Sequence, residues 1–266
     1  MYTQQGWTIK LLTEKYNLSR FVISKVLTKN GIQTKRHTKR SGLFLREDYF
    51  ETIDTEYKAY FVGLLFTDGN IFMGKNNMYQ VGIELSVKDK DILEVLKKEL
   101  NAGYKFSYRT DKNRSETVSL KCYSKKMVED LSQYGIVPQK TKKTKHIPID
   151  KIPQEYKRDF IRGMIDGDGS IFYYGGDKHL LGVTFCSYYA SICEEMQQAC
   201  IDLIGQDNPH KVHTEKDGHI SRMDFRNQKL AKQLVTALYK DSKCHITRKY
   251  NLAKIVFESK NEEDIV

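Results

Sequence analysis

The chain has 266 residues, 39% hydrophobic and 29% charged, a balance that fits a soluble globular protein with two small cores and a short appendage. No apolar run approaches the roughly 18 residues of a bilayer span, and Met1-Tyr2-Thr3-Gln4-Gln5 is too polar for a signal peptide, so a membrane or secreted protein is not expected. The net charge of +10 is uneven: residues 1–45 hold nine Lys or Arg against Glu14 alone, leaving +8 there and a polyanion as the natural partner.

The basic segment reads as two short helices. Ile9, Leu12 and Tyr16 recur at helical spacing, Asn17-Leu18-Ser19 breaks the pattern, and Ser19 can cap a second helix from Arg20 to Lys29. That helix is expected to bury Val22, Ile23, Val26 and Leu27 and to stop at Asn30-Gly31. The pair resembles a helix-turn-helix, with Ser19, Arg20, Ser24 and Lys25 on a helix that could enter a major groove. A purely structural hairpin needs similar apolar spacing; the charge favours DNA. Lys35 and Arg36 lie in the following basic linker, which could run along phosphates.

From residue 50 onward the chain repeats itself. Phe61-Val62-Gly63-Leu64-Leu65-Phe66-Thr67-Asp68-Gly69 returns one hundred residues later as Ile161-Arg162-Gly163-Met164-Ile165-Asp166-Gly167-Asp168-Gly169. The offset continues: Val81-Gly82-Ile83-Glu84-Leu85 matches Leu181-Gly182-Val183-Thr184-Phe185, both alternating as half-buried strands. Ile92, Glu94 and Leu96 then match Ile192, Glu194 and Met196 on a helix. Segments near Tyr104–Thr110 and His210–Glu215 supply further strands, and Leu120 to Leu131 and Met223 to Leu234 each read as a strand entering a helix. The expected fold is α+β: two pseudo-symmetric αββαββα halves, 46–150 and 151–266, behind the helical segment 1–45. The five cysteines show no zinc-ligand rhythm and read as buried reduced thiols.

Each repeated motif is a helix of about three turns with small residues four apart, Gly63 with Thr67 and Gly163 with Gly167, so these positions share a face and let two backbones approach. Asp68 and Asp168 end the helices, and Gly69 and Gly169 are expected to stop them in the left-handed region. A carboxylate at a helix C-terminus meets the negative end of the dipole, and here it would also meet a second carboxylate. Protons or a divalent cation must compensate the pair; Mg²⁺, which favours oxygen ligands and can clamp a phosphodiester, points to metal-dependent phosphoryl chemistry. Asp-Gly is a common turn signal, and it is the doubling in a basic chain that carries weight.

The two motifs, with Phe160-Ile161-Arg162-Gly163 as context, resemble those of LAGLIDADG homing endonucleases of the single-chain, double-motif type, and the likeness covers about residues 50 to 258. Phe66 stands where that pattern has its first acid, while the final acid is present in both copies. The resemblance implies two halves with saddle-shaped antiparallel sheets, and a monomeric endonuclease that breaks both strands of a long asymmetric DNA target across a minor groove. It further implies Mg²⁺ (or Mn²⁺) held by Asp68 and Asp168, with Gly69 and Gly169 beside it. Lys140 and Lys249, placed after the late helix of each half, match the family's active-site lysines by position; an ordinary phosphate-contacting role fits them equally at this point.

Alternation puts Glu84, Ser86, Thr117, Ser119 and Lys121 on the outer face of the first sheet, and Arg222, Asp224 and Arg226 on that of the second. Base and phosphate contacts suit such residues, as does a solvated face. The resemblance leaves two alternatives: a catalytically silent DNA-binding regulator and an intron RNA maturase. It places the protein in a bacterial or phage cytoplasm, near the nucleoid, or in an organelle matrix. No splicing-type segments flank the halves, so an intein is not expected.

Overall fold

The repeat folds twice into the same unit. The structure, a computed structural model, describes residues 9–30, 44–74, 77–111, 114–216, 218 and 220–258, and the chain divides into two compact units, Met1–Leu43 and Phe44–Val266.

In the first unit, α1 (Ile9–Tyr16) and α2 (Arg20–Lys29) pack through Ile9, Leu12, Ile23 and Leu27. The Ser19 hydroxyl caps α2 by accepting from the Val22 amide at 3.4 Å. Val22 and Val26 are not buried as the spacing suggests, being 40% and 52% exposed. A hairpin of two helices covers one stripe of α2, and the i, i+4 pair Ile23 and Leu27 takes it, leaving the valines about 100° round the axis. Tyr16 is likewise exposed.

The second unit opens with α3 (Glu56–Asp68), capped by the Thr55 hydroxyl, which accepts from the Lys58 amide at 3.3 Å. Then come β1 (Gly69–Gly74), β2 (Met78–Ser86), α4 (Lys90–Glu99), β3 (Ser107–Asp111), β4 (Arg114–Tyr123) and α5 (Lys125–Ser132), with a single turn, α6 (Lys140–Lys143), leading out. The second copy runs α7 (Lys157–Asp168), β5 (Gly169–Tyr174), β6 (Leu180–Ser187), α8 (Ala190–Ile204), β7 (His213–Thr214), β8 (Ser221–Phe225), α9 (Gln228–Tyr239) and α10 (Thr247–Glu258). Each half carries a four-stranded antiparallel sheet, ordered β1-β2-β4-β3 and β5-β6-β8-β7.

Alternation decides which face of each sheet is covered. Ile83 pairs with Leu120 and Leu85 with Val118, all buried, as are Val183 opposite Phe225 and Phe185 opposite Met223. Between the sheets lie α3 and α7. From Lys58 to Phe66 every residue of α3 is buried, because the helix packs on its own sheet and on α7. The halves are also tied by Arg248, whose guanidinium reaches both oxygens of the buried Asp89 at 2.8 and 3.1 Å, and by the Tyr156 hydroxyl on the Asp54 carbonyl at 2.7 Å. The cysteines carry free thiols, four of them buried; burial pushes Cys122, Cys193 and Cys200 up to about 12. Among the described residues no helix is long and apolar enough to cross a membrane.

Candidate active site and nucleic-acid face

The contact between α3 and α7 is made by backbone. A Cβ on Gly63 would stand 2.3 Å from the Phe160 carbonyl oxygen, and one on Gly163 would stand 2.1 Å from that of Tyr60. Toward the helix ends, a Cβ on Gly167 would lie 1.9 Å from Thr67 Oγ1 and 2.6 Å from Asp68 Oδ2. The absent side chain at 167 is what admits the Asp68 carboxylate and the Thr67 hydroxyl. That hydroxyl is fixed in turn: its one proton is shared between the Leu64 carbonyl at 2.9 Å and Asp68 Oδ2 at 3.2 Å.

Two carboxylates from different halves thus share one small volume. Burial, then the charge of Asp168, pushes Asp68 from 3.8 up to about 6, against the pull of Thr67, Lys140 and Lys249. Asp168 keeps more surface open; burial raises it also, and the two lysines draw it back.

Neither helix stops by the expected route. Gly69 (φ −72°, ψ 152°) and Gly169 (φ −99°, ψ 176°) are extended, so each motif helix runs straight into its strand. Glycine is needed there for space: a Cβ would meet the Leu65 carbonyl oxygen at 2.4 Å and that of Ile165 at 2.7 Å.

Lysine ammonium groups end the helices instead. Lys140 Nζ donates to the carbonyls of Thr67 and Gly69 at 2.7 and 2.6 Å. Lys249 Nζ donates to those of Ile165, Asp166 and Gly169 at 2.8, 2.6 and 2.7 Å. Each cation satisfies carbonyls that the helix leaves without partners and complements its negative end. Burial lowers both lysines, Lys249 to about 8. Lys249 is 3% exposed with all three protons committed, so it is neither a solvated lysine nor one free to grip a phosphate. Lys140 is half-buried, keeps one ammonium proton uncommitted to these carbonyls, and lines a cavity of about 90 Å³ with Phe66, Thr67 and Asp168.

Sequence reasoning missed the buried polar cluster behind the second motif. Asp166 accepts from the hydroxyls of Tyr60 at 2.7 Å and Tyr239 at 2.6 Å and from the Ile246 amide at 2.8 Å, pinning the entry of α10 to the end of α7. Arg162, fully buried, donates to Asp159 at 2.7 Å and to the carbonyls of Cys244 and Leu238 at 2.8 and 2.9 Å, with the Tyr60 ring against it. The one local signal was an arginine and an acid, Arg162 and Asp166, inside the apolar run 160–165 and at its end. In the first half Phe66 occupies the position of Asp166, and among the described residues no counterpart of the cluster forms there.

Among the described residues no group of three or more His, Cys, Asp or Glu is arranged to hold a metal. Two carboxylates whose proton affinity is raised, with no lysine among the described residues hydrogen-bonded to either, nevertheless fit a divalent cation that takes its other ligands from water and phosphate. The Gly69 and Gly169 carbonyls each accept a lysine proton, so only a second lone pair remains on each for a metal.

No protein-family model matches the sequence, and no curated protein matches it. Solved structures do match. Meganuclease I-SmaMI bound to uncleavable DNA is similar with a TM-score of 0.54 at 12% identity, over 80% of this chain and 94% of that one. The I-LtrWI LAGLIDADG homing endonuclease bound to target DNA gives 0.53 at 12% identity, over 83% and 94%. The chain has the LAGLIDADG homing endonuclease fold.

In this LAGLIDADG fold the sheet surfaces turned away from the core carry the polar residues expected from alternation. Lys121 and Arg226 are exposed, Thr117, Arg222 and Asp224 half-buried. Glu84 accepts from Thr117 at 2.9 Å and faces Arg109 at 3.6 Å; Arg222 faces Glu215 at 3.5 Å. Ser119 points outward but is covered, 6% exposed, between its neighbouring strands. In the first unit Ser19, Arg20 and Lys25 are exposed and Ser24 is half-buried. Lys35 and Arg36 lie outside the described residues.

Proposed function

We propose that the chain is a site-specific DNA endonuclease of the homing type, hydrolysing one phosphodiester in each strand of a long asymmetric duplex. The observation that carries this reading is the meeting of Asp68 and Asp168 across a glycine-lined helix pair, where burial raises the proton affinity of both acids despite the two lysines beside them. The complexes of I-SmaMI and I-LtrWI with DNA support it by fold. One polypeptide supplies both carboxylates, which suits a monomer.

Asp68 and Asp168 would hold Mg²⁺ or Mn²⁺, which when bound activates water and offsets charge on the phosphodiester. The protein's own groups do the rest. Thr67 orients the Asp68 carboxylate, and glycine at 167 keeps its path open. Lys249 acts as a positioning residue that fixes the end of α7 and lends positive field to both acids. Lys140, with a proton to spare and Asp168 beside it, is the lysine we assign to the scissile phosphate. The two sheets hold the duplex in its major groove, and Ser19, Arg20, Ser24 and Lys25, with Lys35 and Arg36, add affinity through the first unit.

The test is incubation of the whole protein with Mg²⁺ and duplex DNA carrying selected target sites, alongside Asp68→Asn and Asp168→Asn. Linearisation by the parent and by neither variant is expected. Tight binding with no cleavage would replace the reading with a silent DNA-binding regulator, and preference for intron RNA over duplex DNA would replace it with a maturase.

A further inference from the structure

The outer face of the second sheet carries an aromatic cluster. On β5, Phe172 and Tyr174 alternate outward, their ring centroids 5.8 Å apart. Phe172 lies across Gly182 of the neighbouring strand, where a Cβ would stand 2.5 Å from the ring. Above both rings sits the guanidinium of Arg226, 5.5 Å from one centroid and 5.6 Å from the other. Its Nη2 points to Asp224 Oδ1 at 3.4 Å, and its backbone carbonyl accepts from the Tyr174 hydroxyl at 3.4 Å and the Gln228 amide at 3.2 Å. At the repeat offset the first half has Phe72, Gly74 and Tyr123, and its Gly82 lies between the Asn70 amide on one side and Lys121 on the other, with no ring across it.

Resting on the endonuclease reading, we propose that Arg226 reads a guanine in the half-site bound by the second sheet, held on its Phe172–Tyr174 bed for that purpose. An arginine side chain ordinarily loses rotamer freedom when it binds; here two rings and a carboxylate already restrict it. A planar fork matches O6 and N7 of guanine in the major groove. Phosphate is the poorer match, because the Asp224 carboxylate beside the guanidinium repels an anion, whereas it can accept from the cytosine amine of a base pair. Arg226 remains 40% exposed at its side chain, and Nη2 is the one donor it gives to another side chain among the described residues. Phe172 stands three residues beyond Gly169, about 10 Å at the usual strand rise.

The experiment is selection of binding sites from a randomised duplex library by the full chain, by Arg226→Ala and by Arg226→Lys, with thermal melting to show that each variant is folded. The parent should enrich a guanine at one position on the second-sheet side of the cut. Arg226→Ala should lower that preference about tenfold and leave other positions unchanged, and Arg226→Lys, which keeps charge but lacks the fork, should not restore it. Uniform weakening across sequences would make Arg226 a phosphate contact; full rescue of the guanine preference by lysine would show that charge, and not the held fork, reads the base; an unchanged profile in both variants would make it a structural clamp. Each result overturns the assignment and leaves the endonuclease reading intact. If the parent enriches no duplex at all, the DNA reading falls and the assignment falls with it.

Discussion

Replacing Asp68 with asparagine should make the metal-free protein more stable at neutral pH while abolishing cleavage. The folded carboxyl titrates near 6 against 3.8 for the unreacted group. A pKa raised by folding means that the native state binds the extra proton, so stability is highest below the unfolded value and is lost as pH rises through the folded one. A displacement of about two pH units corresponds to about 3 kcal/mol at most. Because part of the carboxyl is open to solvent, about 1 to 3 kcal/mol is the expected gain for Asp68→Asn. Urea unfolding in EDTA at a series of pH values checks this: the curves of parent and variant should diverge between about pH 4 and 6 and run parallel above. Magnesium should then raise the parent by about 1.4 kcal/mol for each tenfold excess over its dissociation constant, and the variant much less. Parallel curves across the whole pH range would refute the argument, since the acids would then not be held together at a cost.

Three further outcomes follow from the same geometry. Gly163→Ala sets a methyl 2.1 Å from a backbone oxygen that cannot move alone, and should cost about 3 kcal/mol in denaturant titrations, with loss of cleavage as the helices part. Tyr239→Phe leaves the Asp166 carboxylate short of one of its three donors and should cost about 1.5 to 3 kcal/mol, measured the same way. Removing residues 1–43 should weaken DNA binding and lower the slope of log K against log salt by about 0.9 for each phosphate that the first unit neutralises, with metal-dependent cleavage at low salt retained.

Signals that live in a few neighbouring residues were legible in the chain. Alternation at Val81–Leu85 and Leu181–Phe185 gave strands that pair as expected, and spacing at Gly63 and Gly163 gave helices able to touch. Signals that depend on tertiary partners were not. Gly69 and Gly169 carry the residue type of a left-handed stop, yet Lys140 and Lys249, more than seventy residues further on, supply the stop, so the glycines are needed only for room. Asp166 looked like one more acid of the motif, because the tyrosines and amide that bind it lie on α3, on α9 and at the entry to α10. Val22 and Val26 were expected inside because an apolar residue says nothing about how many helices will cover it.

The fit of Thr67 into the space left by Gly167 makes the halves unlike at the very point where they meet. A pair of first halves would bring threonine against threonine, where the geometry places a Cβ and an oxygen 1.9 Å apart; a pair of second halves would set glycine against glycine and leave a void. The two halves are therefore not interchangeable at this point, and exchange of halves between such proteins has to carry residues 67 and 167 together.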